Sequence, residues 1–288
     1  MNNEAPQYLR PSELQAALAS LAALPRLVLA GGTDLYASGT PMPQRLRQPV
    51  LDITAIDSLR AIRCERAGIL IGATATWADL CRANLPLWCL GLKQAASQVG
   101  AQQIQNVATV AGNLCNASPA ADGVPPLLAL GARIDLASVR GVRTLKLEEF
   151  LLGPRRTACA GDELVTGLRL AERSERARSV FYKLGARSHL VISIVSLAVS
   201  VDFDARGRVT YAGIAVGSCA SRPQRLLGLE SRLLGTDRAG AQTLAQEFAT
   251  AADAPEIAPI DDIRGTALYR CDALATLLRR ALREVCRG

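Results

Sequence analysis

The feature that most constrains this chain is a strand that breaks into two glycines. Leu27 to Ala30 is an apolar run, and Gly31-Gly32-Thr33-Asp34-Leu35 follows at once. Ahead of it, Ser12 precedes Leu14, Leu18 and Leu21, which predicts an N-cap and a helix with an apolar stripe up to Pro25. Helix, buried strand and glycine loop thus succeed one another within about 25 residues, a layout of α/β type. Two glycines after a strand permit backbone angles and close approaches that a Cβ forbids. Amides in such a bend can point at a phosphate oxygen, the Thr33 hydroxyl adds a donor, and Asp34 can accept from a ribityl or ribose hydroxyl. The bend suits a pyrophosphate, and the same residues also make an ordinary turn. It has neither the third glycine of a G-x-G-x-x-G fingerprint nor the G-K-S/T of a Walker loop.

A second stretch, Gln103 to Ala132, sets Thr109, Gly112, Asn113, Asn116, Ser118 and Asp122 in otherwise apolar surroundings. Buried without partners, so many donors and acceptors would cost stability. They imply a polar ligand, or an irregular loop that satisfies its own backbone through Asn and Ser turns.

Around these stretches the pattern predicts strands over Val50 to Ile53 and Gly68 to Ala73, a capping box at Thr76 and Asp79, and a helix from Pro86 to Val99. Arg133 to Val139, Val142 to Leu147 and Glu163 to Leu170 read as antiparallel strands. The charged run Ala171 to Ser179 reads as a linker. Beyond it, Ile192 to Phe203 and Val209 to Gly217 flank a turn with Gly207 and predict a hairpin. Helices are expected over Ala239 to Ala252 and Thr266 to Val285.

The 288 residues suffice for two or three modest units, and a 49% hydrophobic content indicates a folded chain. Aromatics make up only 4% and the net charge of +7 is spread over scattered arginines, which argues against a stacking platform for nucleic acid. Glu4, Arg10 and Glu13 precede any apolar stretch, and Leu190 to Val201 is too short and serine-rich to span a bilayer, so a cytoplasmic chain without a membrane span is expected. His189 is the only histidine and the eight cysteines have no close ligand spacing, so no metal site is expected. With no acid-base set in view, the chemistry is expected to belong to a cofactor, and no catalytic residue is assigned.

The runs LAGGTDL, IGATATWADL and NVATVAGNLCNASPAAD, then YKLGAR, AVGSCASRPQR and DIRGTALYRCDALATLLRRAL, resemble the successive motifs of the FAD-binding medium subunit of molybdenum hydroxylases, the xanthine dehydrogenase and carbon monoxide dehydrogenase family. The resemblance spans nearly the whole chain in order. It implies an α+β fold: a two-subdomain FAD-binding region of the p-cresol methylhydroxylase (PCMH) type over 1–175, divided near residue 55, then a C-terminal flavoprotein domain over 176–288 with a small antiparallel sheet and helices. By the same resemblance Ala30, Gly31, Gly32, Thr33, Asp34 and Leu35 wrap the pyrophosphate and ribityl chain of a non-covalent FAD. Thr109, Gly112, Asn113, Asn116 and Asp122 surround the diphosphate, ribityl and flavin, and Leu164 and Lys183 lie near the ring system. A lysine there would stabilise the reduced anionic flavin; on composition alone it is equally a surface lysine. The implied function is electron transfer: a molybdenum cofactor on a large partner subunit oxidises substrate, 2Fe-2S clusters on a small partner subunit relay electrons, and this FAD passes them to an acceptor such as NAD, oxygen or a quinone.

The chain departs from the family pattern at four places. Ala111 replaces the first glycine of a Gly-Gly pair, which predicts a methyl group crowding the backbone by the diphosphate. Gln105 stands at a commonly basic place, Ser188 where a second arginine is frequent, and Val191 where an aspartate is frequent. The extra cluster of the benzoyl-CoA reductase branch is not expected, because the cysteines are dispersed. Two rivals remain at this point, a stand-alone flavoprotein oxidase or reductase and a flavin-free assembly module.

Overall fold

The computed structural model describes residues 8–37, 48–247 and 257–287. Among the described residues, three sheets of three or more strands follow one another along the chain, with one short two-stranded pair besides. In the first, β1 (Tyr8–Leu9) and β2 (Leu27–Leu29) both pair in parallel with β3 (Val50–Asp52). The helix Leu14–Ala23 buries Ala17, Leu18 and Leu21 in a cluster with Leu51 and Ile53, as the apolar stripe predicts. Its N-cap is Glu13, with no side-chain hydrogen bond, so Ser12 lies one residue outside the expected position. β2 is not the fully buried strand expected. Among the described residues it has one neighbour and sits at the sheet edge, with Val28 exposed to solvent.

The second sheet contains β4 (Ile62–Glu65), β5 (Gly68–Gly72), β6 (Arg133–Ser138) and β7 (Gly141–Lys146). After the short pair β8 (Leu151–Gly153) and β9 (Arg156–Thr157), β10 (Leu164–Ala171) inserts between β5 and β6. All pairings are antiparallel, as the alternation in the three later strands predicts. Between β5 and β6 the chain forms helices Trp77–Arg82, Leu90–Ala96, Gln102–Val107, Val110–Asn116 and Val124–Ala129. The first carries the expected reciprocal capping box of Thr76 and Asp79. The expected helix over 86–99 is shorter: a 3-10 turn, Leu87–Cys89, leads in, and the far end tightens where the Gln98 amide donates to the Ala95 carbonyl.

The third sheet is β11 (Arg178–Leu184), β12 (Val195–Phe203), β13 (Val209–Gly217) and β14 (Gln224–Arg225), antiparallel in that order. The β12–β13 hairpin turns through Gly207 at a φ of +75°, a conformation open to glycine. Helix Ala267–Val285, capped by the Thr266 hydroxyl, lays Leu274, Leu278, Ala281 and Leu282 on this sheet. The helix expected over 239–252 is seen as Arg238–Glu247, and 248–252 fall outside the described residues. The charged run 171–179 is not a free tether. Ser174 binds the Asp202 carboxylate through both amide and hydroxyl, and Ala177 is buried.

The second and third sheets share a core. Phe181, Ala198 and Ala215 join Ile71, Trp77, Leu92 and Leu127 in one buried cluster. Removing a side chain the size of Phe181 from water contributes roughly 2 kcal/mol, so this contact fixes the two halves against each other. All eight cysteines are free thiols. No described helix is long and apolar enough to cross a membrane.

Candidate functional site

The glycine bend and the polar segment meet directly. A Cβ on Gly31 would lie 2.1 Å from the Val107 carbonyl oxygen, so the two backbones pack against each other and only glycine fits. Gly32 has a φ of +70°, and from it the chain enters the short helix Thr33–Ala37. The Tyr36 amide closes this turn on the Gly32 carbonyl at 2.9 Å. The amides of Gly31, Gly32, Thr33 and Asp34 find no acceptor among the described residues. Four adjacent amides without an acceptor are what a multi-oxygen anion needs.

The IGATATWADL motif seats the other side. Thr76 bridges Thr109, the Trp77 amide donates to the Ala108 carbonyl at 3.1 Å, and the Val110 amide donates to the Ala75 carbonyl at 3.0 Å. Thr109 is buried and caps helix Val110–Asn116, its hydroxyl accepting from the Gly112 amide at 3.0 Å. Within that helix the Asn113 Oδ1 is buried and has no hydrogen-bond donor. A buried acceptor left without a donor can take a hydrogen bond from a ligand hydroxyl. Ser118, by contrast, closes a local turn on the Ala120 amide.

Ala111 does not crowd this region. Its methyl group is buried in the main core and does not stand open to solvent at the bend.

Asp122 and Lys183 form a buried ion pair across the two halves. Lys183 Nζ lies 2.6 Å from Asp122 Oδ2, with the side chains 8% and 9% exposed. The Ser193 hydroxyl donates to the other carboxylate oxygen. Burial pushes the Asp122 carboxyl above its ordinary range, and Lys183 and Ser193 pull it back. Lys183 is therefore not a surface lysine, and its charge is matched by a carboxylate. Beside it, a cavity of about 140 Å³ is lined by Ser97, Gln98, Lys183, Ser188, His189 and Leu190. Val191 packs against Gly185 behind this loop. Gln105 donates to the Ser97 carbonyl at 3.1 Å.

Two of the expected residues behave differently. Ala30 packs at the rim of the small core, and Leu164 is buried within it beside Leu18, Leu51 and Ala137, so the Leu164 side chain is not brought to the others. Leu35 and Asp34 lie on the short helix, Asp34 largely exposed.

One residue of the site escaped the sequence reading. Arg155, in the β8–β9 turn, has a left-handed φ of +57°, and its amide donates at 2.9 Å to the carbonyl of Ala117, itself left-handed at +46°. Its guanidinium binds Asn116 Oδ1 and lies 3.5 Å from Asp34. Arg155 thereby clamps the bend to the polar segment. A Gly-Pro-Arg-Arg turn hints at a special backbone but not at which residue turns left-handed.

The family model described as the FAD binding domain in molybdopterin dehydrogenase matches residues 3–171, and that of the CO dehydrogenase flavoprotein C-terminal domain matches 180–285. A nicotinate dehydrogenase FAD-subunit from Eubacterium barkeri is 36% identical over 220 residues, 74% of this chain and 73% of the relative. A putative xanthine dehydrogenase FAD-binding subunit from Escherichia coli is 29% identical, covering 96% of this chain and 94% of its own. Among solved structures, a chain of reconstituted CO dehydrogenase from Oligotropha carboxidovorans superposes with a TM-score of 0.84 at 26% identity, over the full length of both chains.

Proposed function

This chain belongs to the family of FAD-binding subunits of molybdenum hydroxylase-type dehydrogenases, multi-subunit oxidoreductases, and from that premise we propose how its own residues serve the flavin. The amides of Gly31 to Asp34 donate to the FAD diphosphate, with the Thr33 hydroxyl beside them. Thr109 and Gly112 hold the facing helix end at the same group. Asn113 accepts from a ribityl or ribose hydroxyl, and Asn116 and Asp34, held together by Arg155, order the rim. Asp122 and Lys183 hold the ring end between the two halves of the chain, near residue 175 where we divide it into two domains.

Bound FAD supplies two-electron storage with release in single steps. We propose that electrons arrive from 2Fe-2S clusters on a small partner subunit, after oxidation of substrate at a molybdenum cofactor on a large one, and leave to an acceptor such as NAD, oxygen or a quinone. The chain binds and orients the cofactor, excludes water through the shared core, and needs no acid-base pair of its own.

The observation that carries this reading is the row of unaccepted amides at Gly31 to Asp34, seated on the Val107 backbone. The test is the visible absorption spectrum of the purified chain, with the released chromophore identified after acid denaturation. Non-covalent FAD is expected. A chain that stays colourless with excess FAD and gains no thermal stability overturns the reading.

A further inference from the structure

A second and larger cavity lies away from the glycine bend, where the second sheet meets the C-terminal half. It encloses about 590 Å³ between the β6–β7 ends, helix Leu147–Phe150 and the segment around β14. That volume is in the range of small-molecule sites, which favour such junctions. None of its lining residues belongs to the bend, the polar segment or the Asp122–Lys183 pair.

Its walls carry an unusual charge arrangement. Arg133 and Lys146 are directly opposite each other on β6 and β7, both exposed, and neither is in an ion pair among the described residues. Like charges directly opposite on a sheet face repel, so a strand pair that keeps them gains from a counter-anion between them. Arg222, across the opening, is held by one donor to the Leu151 carbonyl at 2.8 Å. Its remaining guanidinium donors have no partner among the described residues. Arg225 forms the floor and is already committed, to Glu230 at 2.6 Å and to Glu148 at 3.0 Å. Those contacts leave Arg133, Lys146 and Arg222 as the cations available to a ligand. Glu149 spends one carboxylate oxygen on the Lys146 amide at 3.0 Å, which leaves an acceptor for a ligand hydroxyl.

We propose that this cavity binds a phosphomonoester of nucleotide size, its phosphate held by Arg133, Lys146 and Arg222 and a sugar hydroxyl accepted by Glu149. Paired cations supply the charge-assisted donors that phosphate oxygens favour. Pro223 and Leu227 provide apolar wall for the remainder. The site is independent of the flavin assignment.

The test is calorimetric titration of the FAD-loaded protein, whose dinucleotide site is then occupied, with AMP, adenosine and inorganic phosphate. One equivalent of AMP is expected to bind, and adenosine to bind at least about tenfold more weakly. Binding should weaken as salt is raised. In Arg133→Ala/Lys146→Ala, both side chains being exposed, AMP affinity should fall by more than about tenfold while flavin content and melting temperature stay unchanged. No heat with AMP at millimolar concentration overturns the proposal, and so does unchanged affinity in the double variant. A third contrary result would be that AMP fails to bind while Lys146→Glu releases a partner subunit from the purified complex, which would make the cavity a protein docking face.

Discussion

Replacing Lys183 by Met tests the buried pair, and the structure sets both size and pH dependence. Lys183 and Asp122 are 2.6 Å apart and almost fully buried, so solvent screens little of their attraction. Breaking a buried pair by removing one partner typically costs roughly 3–5 kcal/mol, because the other charge is left uncompensated. Asp122 has an escape, which is to take up a proton. Burial already pushes its carboxyl up, and without the ammonium only the Ser193 hydroxyl opposes that push. The folded-state pKa in Lys183→Met therefore stands well above the unfolded value of about 3.9. A raised folded value contributes stability that is whole below the unfolded pKa and lost as pH rises through the folded one. Urea unfolding should show Lys183→Met losing roughly 3 kcal/mol or more near pH 8, and clearly less near pH 5. Adding Asp122→Asn should recover most of the loss and flatten the pH dependence. Equal losses at both pH values, or a loss under about 1 kcal/mol, would refute the buried-pair reasoning.

Three further outcomes follow from the site. Gly31→Ala puts a Cβ 2.1 Å from the Val107 carbonyl, so it should destabilise the chain by about 1–3 kcal/mol and weaken FAD binding at least about tenfold, read by melting and flavin titration. Ala111→Gly, which restores the common family residue, should cost about 1 kcal/mol in stability and leave flavin affinity unchanged, because the methyl group packs into the core. Arg155→Ala should weaken FAD binding with little change in unfolding free energy, since the guanidinium is exposed, and in an Asp34→Asn background it should cost less than alone. Additive losses in that cycle would show that Arg155 and Asp34 act separately.

The order of elements was largely legible because apolar periodicity and turn residues carry it: the capping box at Thr76, the β12–β13 hairpin through Gly207 and the helix capped by Thr266 all form as read. The misplaced features share a cause, which is that tertiary neighbours decide them. β2 reads as buried from Leu27 to Ala30, yet its depth depends on having one sheet neighbour rather than two. The run 171–179 reads as a linker from its charge, yet Asp202, far along the chain, fastens it. At the site, Gly31 and Thr109 are marked by residue type, whereas the burial of the Ala111 methyl and the left-handed Arg155 are set by packing and backbone angle. Leu164 shows the converse limit, since a motif match at that position says nothing of which way the side chain points.

The pairing of Lys183 with Asp122 also changes what the lysine can do for a redox group. A lone ammonium acts as a monopole, worth ~3 kcal/mol on a unit charge ~5 Å away at an effective dielectric constant of ~20. With the carboxylate oxygen 2.6 Å behind it, the same site feels the difference of two opposing contributions, roughly 1 kcal/mol in the same geometry. For a flavin ring seated there as we propose, the stabilisation of added electron density is cut to about a third, and its sign depends on which end of the pair faces the ring. What remains is a fixed dipole joining the two halves of the chain. Its stronger contribution is to hold them in register, where Phe181, Ala198 and Ala215 already tie the third sheet into the core of the second.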